Sequence, residues 1–141
     1  MLSDSYEDRL AQWRYLRSVL ADQSFDQCLL DCNDWWWRTP MRDRVIMWQD
    51  YPDWPGPWDL LNKPAFCDLA RSLGIVYTLL LVERKEIEEI HLVQTKTTNL
   101  VLINEGKYVL NWSPGTVVNT HQHQLLIQRC ITGQDLAKRL R

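Results

Sequence analysis

The stretch NLVLINEGKYVLNW (residues 99–112) gives the clearest indication of the fold. Two runs of aliphatic and aromatic residues flank Asn104, Glu105 and Gly106, and a short glycine-containing loop between such runs is typical of a β-hairpin. We therefore expect one strand over residues 99–103 and a second over residues 107–112.

Three more strands are expected around this hairpin. Residues 75–82 form a nearly continuous apolar run, which is typical of a central strand covered on both faces. The charged turn at 83–86 is expected to join it to a strand over residues 87–94. Residues 124–131 are expected to form the last strand, which brings the sheet to about five mostly antiparallel strands.

Helical patterns dominate the first third of the chain. Ser5 precedes apolar residues at helical spacing, which predicts an amphipathic helix over residues 6–22. Ser24 is in position to cap a second helix over residues 25–36. Both helices therefore begin at a serine that can accept a backbone hydrogen bond.

Shorter helices are expected further along. A helical turn is predicted over residues 57–61, and Pro64 suits the first turn of a helix that ends near residue 73. Gly74 would then occupy the C′ position, where left-handed geometry favours glycine. Thr132 is expected to cap a short C-terminal helix.

The order of these elements predicts an α+β fold. N-terminal helices and a Trp/Pro-rich arm occupy residues 1–57, and a helix packed on an antiparallel sheet occupies residues 58–141. With 141 residues in all, we expect the two parts to form one folding unit. Prolines interrupt residues 38–57, so this segment is predicted to be a loop or an extended arm.

The tryptophans are concentrated in that arm and in the helix before it. Six of the eight lie within residues 35–58. Large aromatic side chains are enriched where one protein binds another, so this concentration favours a component of an assembly over a lone enzyme. The candidate partner-binding residues are Trp35, Trp36, Trp37, Trp48, Trp54 and Trp58.

Composition argues against several functions. The formal net charge is −2, so no overall basic field favours direct binding of nucleic acid. No apolar run approaches the roughly 18 residues that span a bilayer, and the acidic N-terminus lacks the order of a signal peptide. No glycine-rich phosphate loop is present. We expect a protein made in a cytoplasm that uses no cofactor and contacts no membrane.

The cysteines and histidines leave one metal site to consider. Cys28 and Cys32 lie four residues apart on the second predicted helix, where buried free cysteines behave as small apolar residues. A zinc site would need them to meet His121 and His123, about ninety residues away. The simpler interpretation is that the chain binds no metal.

Cys67 has the sequence setting of a nucleophile, because a helix N-terminus favours the thiolate form of a cysteine. The segment FCDLARSLGI (residues 66–75), followed by the hairpin at 99–112, resembles the transglutaminase-like superfamily, which has a papain-like core. That resemblance implies a helix carrying a nucleophilic cysteine, followed by strands that carry a histidine and then an aspartate.

The sequence departs from that pattern at both later positions. The histidine position holds Thr98 or Asn99, and the acidic position holds Asn111. An amide cannot act as a general base, so Cys67 lacks its proton acceptor there. The weak catalytic candidates are therefore Cys67, His91 on the preceding strand, and Asn111. The alternatives are a framework without catalysis and a cysteine hydrolase or transferase with Cys67 as nucleophile.

A second resemblance concerns residues 50–82. The segment WPGPWDLL (residues 54–61), followed by CDLA (67–70) and GIVYTL (74–79), is similar to small virion proteins of tailed bacteriophages. This resemblance implies a structural component of a phage particle, in the tail, baseplate or neck. Its partners would be other virion proteins, and it would be assembled in the host cytoplasm.

Overall fold

The computed structural model describes residues 5–38, 46–62, 67–120 and 125–140. The helices are α1 (Tyr6–Asp22), α2 (Phe25–Trp37), α3 (Pro57–Asn62), α4 (Asp68–Val82) and α5 (Gly133–Ala137), with 3-10 helices at Trp48–Asp53 and Lys138–Leu140. The strands are β1 (Ile90–Thr95), β2 (Asn99–Ile103), β3 (Tyr108–Ser113), β4 (Thr116–Val118) and β5 (Ile127–Thr132). The fold is α+β, as the sequence predicts.

The five strands form one antiparallel sheet in the order β4-β3-β2-β1-β5. Side chains alternate between its two faces. Leu92, Val101 and Leu110 point to the face that packs on the helices. Val93, Leu100 and Val109 form a small second cluster on the opposite face. The main core therefore lies between the sheet and the helices.

Residues 75–82 are helical, so the prediction of a central strand there is wrong. They form the second half of α4, whose residues from Leu69 to Leu79 are all buried. A helix covered on every side is apolar all round, and a short apolar run does not distinguish this case from a buried strand. Here α4 contacts α1, α2, α3 and α5 as well as the sheet.

Gly74 lies inside α4 and does not end it. The helix ends at Glu83, which has φ 56° and ψ 44° in the left-handed region. A Cβ on Gly74 would fall 2.5 Å from the ring carbons of Trp36. Glycine is therefore needed for close packing of α2 on α4, and the prediction of a C′ position is wrong. The helix begins at Asp68, with Cys67 in an extended conformation as its N-cap, so the predicted start at Pro64 is wrong. Residues 64–66 themselves lie outside the described residues.

Most other boundaries agree with the sequence. Ser5, Ser24 and Thr132 each accept a backbone N–H at the start of a helix, as expected. The hairpin of β2 and β3 has its predicted position. Strand β4 was not anticipated, and β1 begins at Ile90 rather than at residue 87.

Candidate functional site

The candidate site suggested by Cys67 lies where the start of α4 meets the ends of β2 and β3. Cys67 is the N-cap of α4, and its Sγ accepts the backbone N–H of Ala70 at 3.5 Å. The N–H of Ile46 approaches the same sulfur at 3.5 Å. The thiol thus serves as the helix cap that serine or threonine usually provides.

Asp68 is the hub of the site. Its Oδ2 accepts the Asn99 backbone N–H at 2.6 Å, the Asn99 Nδ2 at 3.0 Å and the Thr98 Oγ1 at 3.0 Å. Its Oδ1 accepts Asn111 Nδ2 at 3.0 Å and an Arg71 N–H at 3.2 Å. Five donors therefore share the two oxygens of this carboxylate, which joins the start of α4 to β2 and β3.

Asn111 reaches Asp68 because β3 is irregular at this point. The register between β3 and β4 shifts between Val109 and Ser113, and Asn111 has φ 66°. A bulge residue in the left-handed region redirects the strand, and asparagine tolerates this conformation better than most residues. As a result, both Leu110 and Asn111 are buried beneath the helices.

The side-chain amide of Asn111 is fully engaged. Its Nδ2 also lies 2.8 Å from Ser72 Oγ and 2.9 Å from the Asn99 carbonyl, so its two hydrogens are shared among these acceptors and Asp68. Its Oδ1 accepts Arg71 Nε at 2.7 Å. Its backbone N–H donates to Asn33 Oδ1 on α2 at 2.8 Å. Asn111 therefore ties α2, α4, β2 and β3 together.

Arg71 supplies the positive charge of the cluster. Burial lowers the pKa of its guanidinium, and the neighbouring Asp68 carboxylate opposes that shift. The guanidinium also lies 3.4 Å from the ring centre of Trp37, which is a cation–π contact. Pairing with a carboxylate and an aromatic ring offsets the cost of burying this charge.

The structure separates the other catalytic candidate from this cluster. His91 is paired with Leu102 of β2, and Leu102 packs in the small cluster on the far face of the sheet. Residues opposite one another in a ladder share a face. His91 therefore points away from Cys67, while Asn111 lies on the same side as α4. His121 and His123 lie outside the described residues.

The tryptophan candidates do not form one surface. Successive residues of a helix point about 100° apart, so Trp35, Trp36 and Trp37 diverge. Trp36 is buried and donates to Thr78 Oγ1 at 3.0 Å, whereas Trp35 contacts the Trp36 ring edge-on. Trp13 of α1 donates to the same hydroxyl at 2.9 Å. Thr78 in turn donates to Gly74 at 2.7 Å, which completes a buried junction of three helices.

The described part of the arm, residues 46–56, folds back on its own core. Trp54 is buried and donates to the Met47 carbonyl at 2.8 Å, while Trp48 donates to Asn99 Oδ1 at 2.6 Å. Arg139 from the C-terminal 3-10 helix donates to the carbonyls of Trp54 and Tyr51. Of the six candidates, Trp58 keeps the most exposed side chain, at 36%.

Large apolar residues that are not among the six tryptophan candidates are also exposed. Leu126 is 80% exposed, Ile127 is 47% exposed and Trp112 is 38% exposed. Leu126 and Trp112 line a cavity of about 430 Å³ at the start of β5. The apolar triplet at residues 125–127 is the only sequence signal for this surface, and its pattern alone does not distinguish a surface from a core strand.

Three further findings concern metal ligands, the buried cysteines and membranes. Within the described ranges, no three His, Cys, Asp or Glu residues are placed to hold a metal ion. Burial raises the pKa of both Cys28 and Cys32, which favours protonated thiols within the core. No helix among the described residues has the length and apolar character needed to cross a membrane.

No protein-family model matches the sequence, and the search of curated proteins finds no match.

Proposed function

We propose that this protein is a non-catalytic structural component of a tailed-bacteriophage particle, in the tail, baseplate or neck. It docks on neighbouring subunits through exposed aromatic and aliphatic side chains. The phage assignment rests on the sequence resemblance over residues 50–82.

The proposal that the protein is non-catalytic rests on the Asp68 cluster. A cysteine nucleophile needs a base within hydrogen-bonding distance. Where the resemblance implies a histidine the chain has Thr98 or Asn99, and where it implies an aspartate the chain has Asn111; all three side chains donate to Asp68. A network of this kind stabilises the junction of helix and sheet, and a threonine hydroxyl or a side-chain amide cannot act as the general base that a histidine would supply.

Support for docking comes from the exposed apolar residues. Trp58 lies on α3 with its ring edge-on to Trp13, and Trp112 and Leu126 line the cavity beside β5. Partly exposed aromatics held by a rigid core are suited to anchoring a partner, because little conformational entropy is lost when they bind.

Mass spectrometry of particles purified from lysates of the encoding phage tests this proposal. We expect the chain in intact particles at a fixed ratio to the other virion proteins, and we expect it to remain after washing with high salt. Detection only in the soluble fraction of the lysate would contradict the structural role.

A further inference from the structure

We propose that Arg14 and Arg17 of α1, together with Trp58 of α3, bind a segment of a different protein that carries carboxylates. The guanidinium groups pair with its acidic side chains, and the exposed part of the Trp58 ring contacts an apolar one. These three residues are called the α1 surface below. The inference rests on the proposed function, because it specifies which surface holds a neighbouring subunit.

Arg17 is held in place without a counter-ion. Its guanidinium lies 4.5 Å from the centre of the Trp13 ring, and its Nε is buried without a hydrogen-bond partner. Among the described residues, no carboxylate forms an ion pair with Arg17 or with Arg14. Burial lowers the pKa of the Arg17 guanidinium, and the positive charge of Arg14 lowers it further. A carboxylate from a partner would oppose both effects.

Arg14 places a second guanidinium beside the first. The two arginines are three residues apart, so they are neighbours on the helix surface. Residues 10–21 contain no aspartate, glutamate or lysine, so α1 offers neither arginine an acid within one turn. A guanidinium is planar and pairs with a carboxylate through two parallel hydrogen bonds. Because Arg17 is already oriented by the Trp13 ring, it loses little freedom when such a pair forms.

Trp58 adds an apolar contact at the same place. Its ring meets Trp13 edge-on with 5.5 Å between the ring centres, so Trp58 and Arg17 border the same buried indole. The Trp58 side chain is 36% exposed. The neighbouring Asp59 is exposed, and within the described part of the chain it forms no ion pair with either arginine. Tryptophan and arginine are enriched in binding hot spots, whereas aspartate, glutamate and lysine are depleted at interfaces.

Charge selects among the possible occupants. Residue 14 is the midpoint of α1, so a second copy packed on this face about a twofold axis would bring the two arginine pairs together. Contact between like charges is unfavourable. Nucleic acid needs a broader basic surface than two arginines in a chain whose formal net charge is −2. An acidic segment of a different protein is therefore favoured.

Crosslinking in particles tests the inference with the natural partner. A carbodiimide couples a lysine amine to a carboxylate that is in direct contact with it, so Arg17→Lys makes this position reactive. We expect an amide crosslink between position 17 and an aspartate or glutamate of another virion protein. Arg38→Lys is the matched control, because Arg38 is exposed at the end of α2, and it should give no crosslink to that residue. A crosslink to a second copy instead would overturn the inference.

Synthetic peptides test the charge preference on the purified protein. One peptide alternates leucine with glutamate, and the other has glutamine in place of glutamate. We expect the glutamate peptide to bind at least about tenfold more tightly by fluorescence anisotropy. Arg17→Gln should remove this difference and Arg38→Gln should keep it, with thermal unfolding used to check that both variants are folded. Equal affinity for the two peptides, equal losses in the two variants, or tighter binding of a short single-stranded oligonucleotide would contradict the inference.

The two experiments separate this inference from the proposed function. Arg17→Lys present in particles without any crosslink from position 17 would reject the α1 surface and leave the structural role standing. Absence of wild type from particles, with the glutamate peptide still bound through Arg17, would reject the structural role alone.

Discussion

The indole of Trp36 lies flat against the backbone of α4 at Gly74, so that a Cβ there would fall 2.5 Å from the ring. We expect Gly74→Ala to lower the free energy of unfolding by about 1–3 kcal/mol, although alanine is the better helix former. Urea denaturation measures this. A double-mutant cycle with Trp36→Leu is the control, since the cost of Gly74→Ala should shrink once the ring is gone. Full additivity would show that the ring is not the cause.

The Thr78 hydroxyl accepts two buried indole N–H groups, from Trp13 and Trp36. Thr78→Val keeps the shape but leaves both donors unsatisfied, so we expect a loss of about 2–4 kcal/mol in the free energy of unfolding. Thr78→Ser retains the acceptor and should cost clearly less. Equal losses in thermal or urea denaturation would contradict the importance of this hydroxyl.

Asn111→Asp would place a second carboxylate 3.0 Å from that of Asp68. Like charges at this distance raise the pKa of one of the two carboxyls above its value in the unfolded chain. The variant should therefore be destabilised most at neutral pH, and its deficit relative to wild type should narrow as the pH falls and the pair takes up a proton. Urea denaturation at several pH values between about 5 and 8 measures this. A deficit that is constant with pH would argue against a charge effect.

Substitutions of Cys67 test whether this residue has only a structural role or acts as a catalytic nucleophile. Cys67→Ser keeps a capping side chain and should leave stability nearly unchanged, whereas Cys67→Ala should cost about 0.5–2 kcal/mol by loss of the cap. We expect the wild-type chain to turn over no acyl or thioester substrate above the Cys67→Ser background. Turnover by wild type that Cys67→Ser abolishes would support the alternative of a cysteine hydrolase or transferase.

Arg139 anchors the Trp/Pro-rich arm through the carbonyls of Tyr51 and Trp54. Arg139→Ala should loosen residues 46–56 and increase acrylamide quenching of tryptophan fluorescence. The control is Lys138→Ala, whose side chain is largely exposed and pairs with Asp135 at 3.6 Å. Because such an exposed pair contributes little, quenching should not change. A similar rise in both variants would indicate general loosening of the C-terminus.

The sequence predicts those parts of the fold that depend on local chemistry. Ser5 and Ser24 mark the starts of helices because their hydroxyls accept backbone N–H groups there. The hairpin follows from two apolar runs around a glycine turn. The error at residues 75–82 has a tertiary cause, since an apolar run of this length suits either a central strand or a surrounded helix.

The candidate site was foreseen in part. The resemblance to the transglutaminase-like superfamily singles out Cys67, Thr98, Asn99 and Asn111. In the structure, the side chains of Thr98, Asn99 and Asn111 all donate hydrogen bonds to Asp68. Asp68 itself was missed, because no local pattern shows that a carboxylate will collect donors from two strands. The left-handed conformation of Asn111 likewise depends on a bulge that only the assembled sheet reveals.

The shared hydroxyl of Thr78 also bears on how this sequence can change during evolution. Two indoles from different helices depend on one small side chain, and one of those indoles also requires glycine at position 74. Substitution of Thr78 by an apolar residue removes the acceptor of both indoles, and a larger residue at position 74 meets the Trp36 ring. Divergent descendants of this chain should therefore replace Trp13, Trp36, Gly74 and Thr78 together or retain them together. The exposed residues around them should vary independently.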